Sequence, residues 1–202
     1  MKPIMQELFL ALLFFTLLSA CKQAEPAKNI TLTPLFTNNM VLQQKQDIVI
    51  WGTAEAGGEV LVSLNRQQAK AMVMDNGLWN VKLKPIVAGG PYELTISGED
   101  TIRISNVMVG EVWICSGQSN MEMAVEAEWG KIDNSKEEVA NANYPNIRLF
   151  MVDKAMANTP QDNFTSSGWK ECSPKTISEF SAVAYLFGRK LHKDLNVPIG
   201  LI

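Results

Sequence analysis

The sequence predicts a mixed fold: an N-terminal antiparallel β-sandwich followed by the first part of a doubly wound α/β domain. Three observations carry this expectation. Residues 31–108 hold short, often alternating runs of β-branched and aromatic residues, spaced roughly ten residues apart as in small sandwiches. From residue 109 onward the texture changes to apolar runs without alternation, Val112–Cys115, Ile147–Val152 and Val197–Ile202, as in parallel strands covered on both faces. Between the last two runs lies the strongest helical pattern of the chain, Ser178–Leu195. Strand, helix, strand, helix, strand opens a doubly wound sheet, which ordinarily takes about five strands. The sequence ends on Leu201-Ile202 inside the third, so a truncated domain is expected, with an unpaired edge on its last strand.

At the N-terminus, residues 1–20 read as a signal peptide. Lys2 supplies a positive start, and the apolar run Leu8–Leu18 falls short of the roughly 18 residues a bilayer-spanning helix needs. Leu18-Ser19-Ala20-Cys21 resembles a bacterial lipobox, in which the cysteine becomes the lipidated first residue. An ordinary signal peptide with an incidental cysteine is the alternative. Lipidation at Cys21 implies a chain held in the cell envelope by a lipid anchor in a bacterial membrane, on its periplasmic or surface side, with residues 21–30 as a polar tether.

Within residues 31–108 the candidate strands are Met40–Leu42, Gln46–Trp51, Glu59–Leu64, Ala69–Met74, Trp79–Leu83, Tyr92–Ile96 and Thr101–Ile104. Gly57-Gly58, Asp75-Asn76-Gly77 and Gly89-Gly90-Pro91 punctuate them, and Asn76-Gly77 is the best hairpin turn, since both residues tolerate positive φ. In residues 109–202, a weak helical segment over 131–142 and a long polar loop over 153–177 separate the apolar runs. In the strong helix, Phe180, Val183, Ala184, Phe187 and Leu191 form a core-facing stripe. Ser178 is its expected N-cap, and Asn196 with Pro198 ends it.

Hydrophobic residues make up 47% and charged residues 19% of the 202, with a net charge of −3. That is an ordinary globular balance without a basic stripe, so nucleic acid is not an expected partner. With Cys21 acylated, Cys115 and Cys172 remain. Cys115 lies in an apolar run and is expected in the core, Cys172 in a polar loop, and no zinc-ligand spacing is present.

The chemistry centres on Gly117-Gln118-Ser119-Asn120-Met121. A Gly-x-Ser triplet arises by chance in a chain this rich in both residues. Its position is what counts, just past the carboxyl end of the first strand of the α/β part, where open α/β sheets build their sites. Gly117 is expected to permit a sharp turn that projects the Ser119 hydroxyl above the sheet. Met121 stands where a Gly-x-Ser-x-Gly elbow carries its second glycine, which argues against an ordinary α/β-hydrolase.

Val109–Met123 (VGEVWICSGQSNMEM) resembles the nucleophile block of the sialate O-acetylesterase family, whose catalytic domain is of the SGNH-hydrolase type. Phe180–Ile202 resembles the helix and strand that lead to that family's next block, and Leu35–Gly52 its β-sandwich opening. The resemblance implies an esterase that removes O-acetyl groups from sialic acid or other acetylated glycans, without metal or organic cofactor. It makes Ser119 the nucleophile, with Gly117, Gln118 and Asn120 shaping the turn and oxyanion site and the Ser119 N–H donating to the oxyanion. The family's further oxyanion donors, on a glycine and an asparagine, and its aspartate–histidine pair have no counterpart in these residues, so the fragment is expected to be inactive. A lipid-anchored glycan-binding module without catalysis is the alternative.

Rival residues are weaker. His192, the only histidine, falls beside the helical stripe and is expected at the solvated surface. Ser116 lies nearer the strand than the turn. Glu122, Glu126 and Glu128 could form a glycosidase acid pair but read better as a solvated loop face. Trp51 and Trp79 could stack on sugars, yet in strands they read as core.

Overall fold

The structure, a computed structural model, describes residues 24–161 and 163–202. The expected signal peptide and Cys21 lie outside the described residues. The first strands are β1 (Thr31–Leu32), β2 (Val41–Gln43), β3 (Ile48–Thr53), β4 (Glu59–Leu64), β5 (Gln67–Met72), β6 (Leu78–Leu83), β7 (Gly89–Ser97) and β8 (Thr101–Trp113). Strict alternation of buried and exposed residues along β3 and β6 gives each one apolar face. Those faces, in the sheet β1-β3-β6, meet the apolar faces of β4, β7 and β8 in the larger sheet. Ile48, Ile50, Trp79 and Val81 on one side, with Val60, Val62, Leu94, Ile96 and Ile104 on the other, share one buried cluster.

The turn chemistry departs from expectation. The two-residue hairpin lies between β4 and β5, at Asn65 and Arg66, with φ of 45° and 64° and Leu64 paired to Gln67. At Asn76-Gly77 only Gly77 takes positive φ, at 79°. There the Gly77 N–H donates to the Met74 carbonyl at 2.8 Å, and the Leu78 N–H to Asn76 Oδ1 at 3.1 Å. This turn carries the chain from β5 in one sheet to β6 in the other.

The expected separate strands at Thr101–Ile104 and Val112–Cys115 are one strand, β8, of 13 residues. Its first half pairs antiparallel with β7, and residues 111–113 pair parallel with β13 (Ile199–Leu201). The boundary expected between residues 108 and 109 therefore falls inside β8. Asn106, at φ 56°, interrupts the regular strand conformation and is held by long-range partners. Its side-chain amide donates to Asn39 Oδ1 and to Glu171 Oε1, each at 2.8 Å, and its carbonyl oxygen accepts from Arg148 at 3.3 Å. Arg148, 2% exposed, also donates to the Pro145 and Asn39 carbonyls at 2.7 and 3.2 Å. One buried guanidinium thus ties together carbonyl oxygens from both halves of the chain.

Beyond β8 come α1 (Ser119–Glu122), the two-stranded β9 (Glu126–Ala127) and β10 (Gly130–Lys131), α2 (Ser135–Ala140), β11 (Tyr144–Leu149), β12 (Lys170–Cys172) and α3 (Ala182–Leu195). Strands β11, β13 and β8 are parallel, in that spatial order. The last strand therefore has a neighbour on each side, which corrects the expected unpaired edge. The doubly wound expectation is met on one face only: α3 packs on β11 and β13, while Phe150 and Trp169 join the cluster shared with the first two sheets. Trp169, expected in an open loop, is 5% exposed; its indole N–H donates to the Leu35 carbonyl at 2.9 Å. The same polar stretch also forms β12, antiparallel to β11.

Helix α3 starts later than expected. Ser181, not Ser178, is the N-cap, its hydroxyl accepting from the Ala184 N–H at 3.3 Å. Asn196 ends the helix in the left-handed region, at φ 52°. The buried stripe is also rotated: Ala184, Tyr185 and Gly188 face inward, while Val183 and Phe187 are exposed. Small residues decide the face, because a Cβ on Gly188 would lie 2.6 Å from Leu201 Cδ1. Close helix–sheet approach outweighs the burial of two larger side chains, and Phe187 instead packs edge-on against Trp113 at 5.1 Å.

Under α3, Cys172 is buried and free, in contrast to its expected polar loop. Burial pushes its thiol up to about 12, against weaker opposing pulls from a Tyr144 backbone hydrogen bond and the Arg189 charge. Tyr185 is likewise pushed up to about 12, chiefly by burial, with Arg189 opposing. Both groups hold their protons more tightly folded than unfolded, so stability present below roughly pH 9 falls as pH rises toward 12. Urea midpoints are expected to decline over that range, and to decline less steeply in Tyr185→Phe and Cys172→Ala. An equal slope in all three chains would contradict this origin.

Candidate active site

The carboxyl ends of β8, β13 and β11 lie together at one end of the parallel sheet. Past Trp113 the chain stays tied to its neighbour: the Ile202 N–H donates to the Trp113 carbonyl at 2.9 Å, and the Cys115 N–H to the Ile202 carbonyl at 2.6 Å. The chain then leaves the sheet, and residues 116–120 are all exposed. Ser119 opens α1, a single turn in which the Gln118 carbonyl accepts from Met121 and Glu122 N–H groups at 2.9 and 3.1 Å. Gly117 is not in the left-handed region. What its missing side chain spares is a contact with Met121 Cβ, 3.1 Å from where a Cβ would stand.

Two links seat α1 against the start of α3. The Ala182 N–H donates to the Met123 carbonyl at 2.8 Å, and the Ser181 hydroxyl donates to Met121 Sδ at 3.6 Å. Ser119 is thereby held near the N-terminal end of α3. His192 sits toward the opposite end of that helix, about 16 Å along its axis from Ser181. It is half-buried, contrary to the expected solvated position, with Nδ1 2.8 Å from the Val197 carbonyl and its ring edge-on to Tyr144 at 6.4 Å. Its geometry suits a helix terminus, not proton transfer at Ser119.

A cavity of about 560 Å³ opens at the strand ends. Ile114, Cys115 and Ile202 line it from β8 and β13, Phe150 and Met151 from beyond β11, and Ser181 and Ala184 from α3. Cys115, expected in the core, is only half-buried there; burial still pushes its thiol up. Ser116, Met121 and Glu122 also reach the cavity, whereas Ser119 stands exposed beside them on the same turn.

The acidic cluster separates into distinct contacts. Glu122 pairs with Lys154, Glu126 accepts from the Ser135 hydroxyl at 3.5 Å, and Glu128 is exposed. Trp79 is core, at 1% exposure, but Trp51 lies on the outer face of β3, edge-on to Phe36 at 4.6 Å. The tryptophan that does reach the cavity is Trp129, together with Lys154, whose Nζ lies 5.9 Å from the ring centroid. Neither was singled out from sequence. The available signal was a tryptophan in a polar, glycine-flanked stretch, Glu128-Trp129-Gly130, where no core face claims it. Among the described residues no group of three or more His, Cys, Asp and Glu could hold a metal ion.

An exposed serine on a tight turn at the carboxyl end of parallel strands is the arrangement of an SGNH-type α/β chain. The comparisons agree. The chain is 34% identical over 185 residues to the sialate O-acetylesterases of Mus musculus and of Homo sapiens, covering 82% of this chain. A solved structure described as a novel carbohydrate acetylesterase from Xanthomonas citri superposes with a TM-score of 0.80 at 34% identity, over 85% of this chain and 39% of that one. No protein-family profile matches. The chain belongs to the sialate O-acetylesterase-like family. It spans about a third of the curated relatives it matches, 34% of the mouse protein and 35% of the human one.

Proposed function

We propose that the protein is a serine esterase that removes O-acetyl groups from sialic acid or related acetylated glycans, with Ser119 as nucleophile. The observation that carries this is the exposure of Ser119 at the head of α1, beside a cavity at the ends of three parallel strands. In this reading a base takes the Ser119 proton as Oγ attacks the acetyl carbonyl. The sugar hydroxyl leaves with a proton, and water then releases acetate from the acetyl-enzyme. The N–H groups of Ser119 and Asn120, first in a helix and so without intrahelical acceptors, are the oxyanion donors, and Gly117 and Gln118 shape the turn. No metal or cofactor takes part.

In this reading the base is not His192, which sits toward the far end of α3 from Ser181, and the 202 residues hold no other histidine. The 202-residue chain by itself is therefore incomplete as an esterase. Residues 31–108 serve as a sandwich domain and 109–202 as part of the esterase domain. Residues 21–30 tether both to a lipid on Cys21, in a bacterial cell envelope; the lipobox-like Leu18–Cys21 supports that anchor.

A fluorophosphonate probe tests the reading in the natural gene product. Covalent labelling that disappears in Ser119→Ala is the expected result. Binding of an acetylated glycan without any labelling would instead identify a lipid-anchored binding module.

A further inference from the structure

The turn that carries Ser119 has little of its own to hold it in place. A single helical turn such as α1 is unfavourable alone, because it fixes several dihedrals for very few hydrogen bonds. Its N-cap, Gln118, makes no side-chain cap bond, and none of its four residues is buried. The chain is fixed on either side instead. Before the turn, the Cys115 N–H is bonded to the Ile202 carbonyl. After it, the Val125 and Glu126 N–H groups donate to the Phe180 and Ser178 carbonyls at 3.0 and 2.8 Å. Among the described residues, no backbone group of residues 116–122 bonds outside residues 116–123.

Two side chains bridge that gap. Glu122 pairs with Lys154, but both are exposed, and such a pair adds little in water. Of the four residues of α1, Met121 alone packs against a buried cluster, the one that holds Phe180, Ala184 and Tyr185. Its Cβ also fills the space that Gly117 leaves open, so the two ends of Gly117–Met121 fit together. The sulfur adds a directional contact to this packing. The Ser181 hydroxyl accepts from the Ala184 N–H as N-cap of α3 and donates its own proton to Met121 Sδ. A hydroxyl has one proton and two acceptor sites, so it makes both bonds at once. Leucine would fill nearly the same volume but offers no acceptor. The methionine therefore ties the nucleophile turn to the cap of a 14-residue helix, and Ser119 stands two residues before that tie.

We propose that Met121 is a positioning residue for the nucleophile, its sulfur locking the Ser119 turn to the Ser181 hydroxyl. The proposal rests on the esterase reading and deepens it. The test uses the natural gene product and two substitutions that remove the bond from either side. Met121→Leu keeps the packing and removes the acceptor. Ser181→Gly removes the donor and leaves a residue that is still a good N-cap. Each is expected to lower kcat for acetyl ester hydrolysis about tenfold with KM within about twofold, since small misplacements of a reacting group are costly. The rate of fluorophosphonate labelling at Ser119 should fall by the same factor, and the melting temperature of Met121→Leu should stay unchanged. The double variant should be no slower than the slower single one, because each removes the same bond. Met121→Leu with unaltered kcat and labelling rate, or single effects that multiply in the double variant, would overturn the positioning role and leave the esterase reading standing. An unsubstituted protein whose Ser119 no fluorophosphonate labels would overturn the esterase reading, and the positioning role with it.

Discussion

Ser119→Ala is expected to lower kcat for acetyl ester hydrolysis by the natural gene product on the order of 10⁶-fold, as nucleophile removal does in triad hydrolases. Stability should change by less than about 0.5 kcal/mol, because Ser119 is exposed and packs in no core cluster. The pairing of a very large kinetic effect with almost no structural one distinguishes a nucleophile from a residue that merely holds the turn. Ser116→Ala is the needed comparison, since Ser116 lines the cavity three residues earlier and is also exposed. It should alter KM more than kcat. His192→Ala should leave kcat unchanged while loosening the contact to the Val197 carbonyl. If Ser116→Ala abolished turnover and Ser119→Ala did not, the assignment would pass to Ser116. The 202-residue chain without a base should hydrolyse the ester no faster than Ser119→Ala does.

The features legible in the sequence were those set by local period. Glu59–Leu64 has the bounds expected of it, and β3, β6 and β7 lie within a few residues of theirs, because alternation reports a half-buried face directly. What escaped was decided by distant partners. β8 looked like two strands because Ser105, Asn106 and Gly110 interrupt its apolar runs. Asn39, Arg148 and Glu171, far off in sequence, hold the chain through that interruption. β12, reading Lys-Glu-Cys, has no intrinsic strand signal and exists by pairing with β11. The inward face of α3 was misjudged because size, not hydrophobicity, sets how closely a helix approaches a sheet. At the site, Ser119 was visible through its place after an apolar strand. Trp129 and Lys154 were not, since the cavity that gives them meaning is lined by segments far apart in the sequence.

Gly110→Ala should be among the most damaging small substitutions in the chain, at about 3 kcal/mol or more. Gly110 lies where β8 passes from its pairing with β2 to its pairing with β13. Its carbonyl accepts from the Gln44 N–H at 2.7 Å, and the next residue, Glu111, donates its N–H to the Pro198 carbonyl at 2.9 Å. A Cβ on Gly110 would stand 2.0 Å from the Pro198 oxygen and 2.7 Å from its carbonyl carbon. Those are backbone atoms with nowhere to turn, so relief requires β13 to move away from β8. The parallel sheet would open at the strand pair that brings Cys115 and Ile202 together at the cavity, so the cost falls on the site as well as on stability. The comparison is Gly57→Ala, where a Cβ meets nothing within 4 Å but φ is +82°; its conformational cost should be only about 1–2 kcal/mol. Urea denaturation of both variants is the measurement. A Gly110→Ala protein as stable as Gly57→Ala would mean that the contact between β8 and the Pro198 segment is loose, and that the strand shared by the two halves does not fix the geometry beneath Ser119.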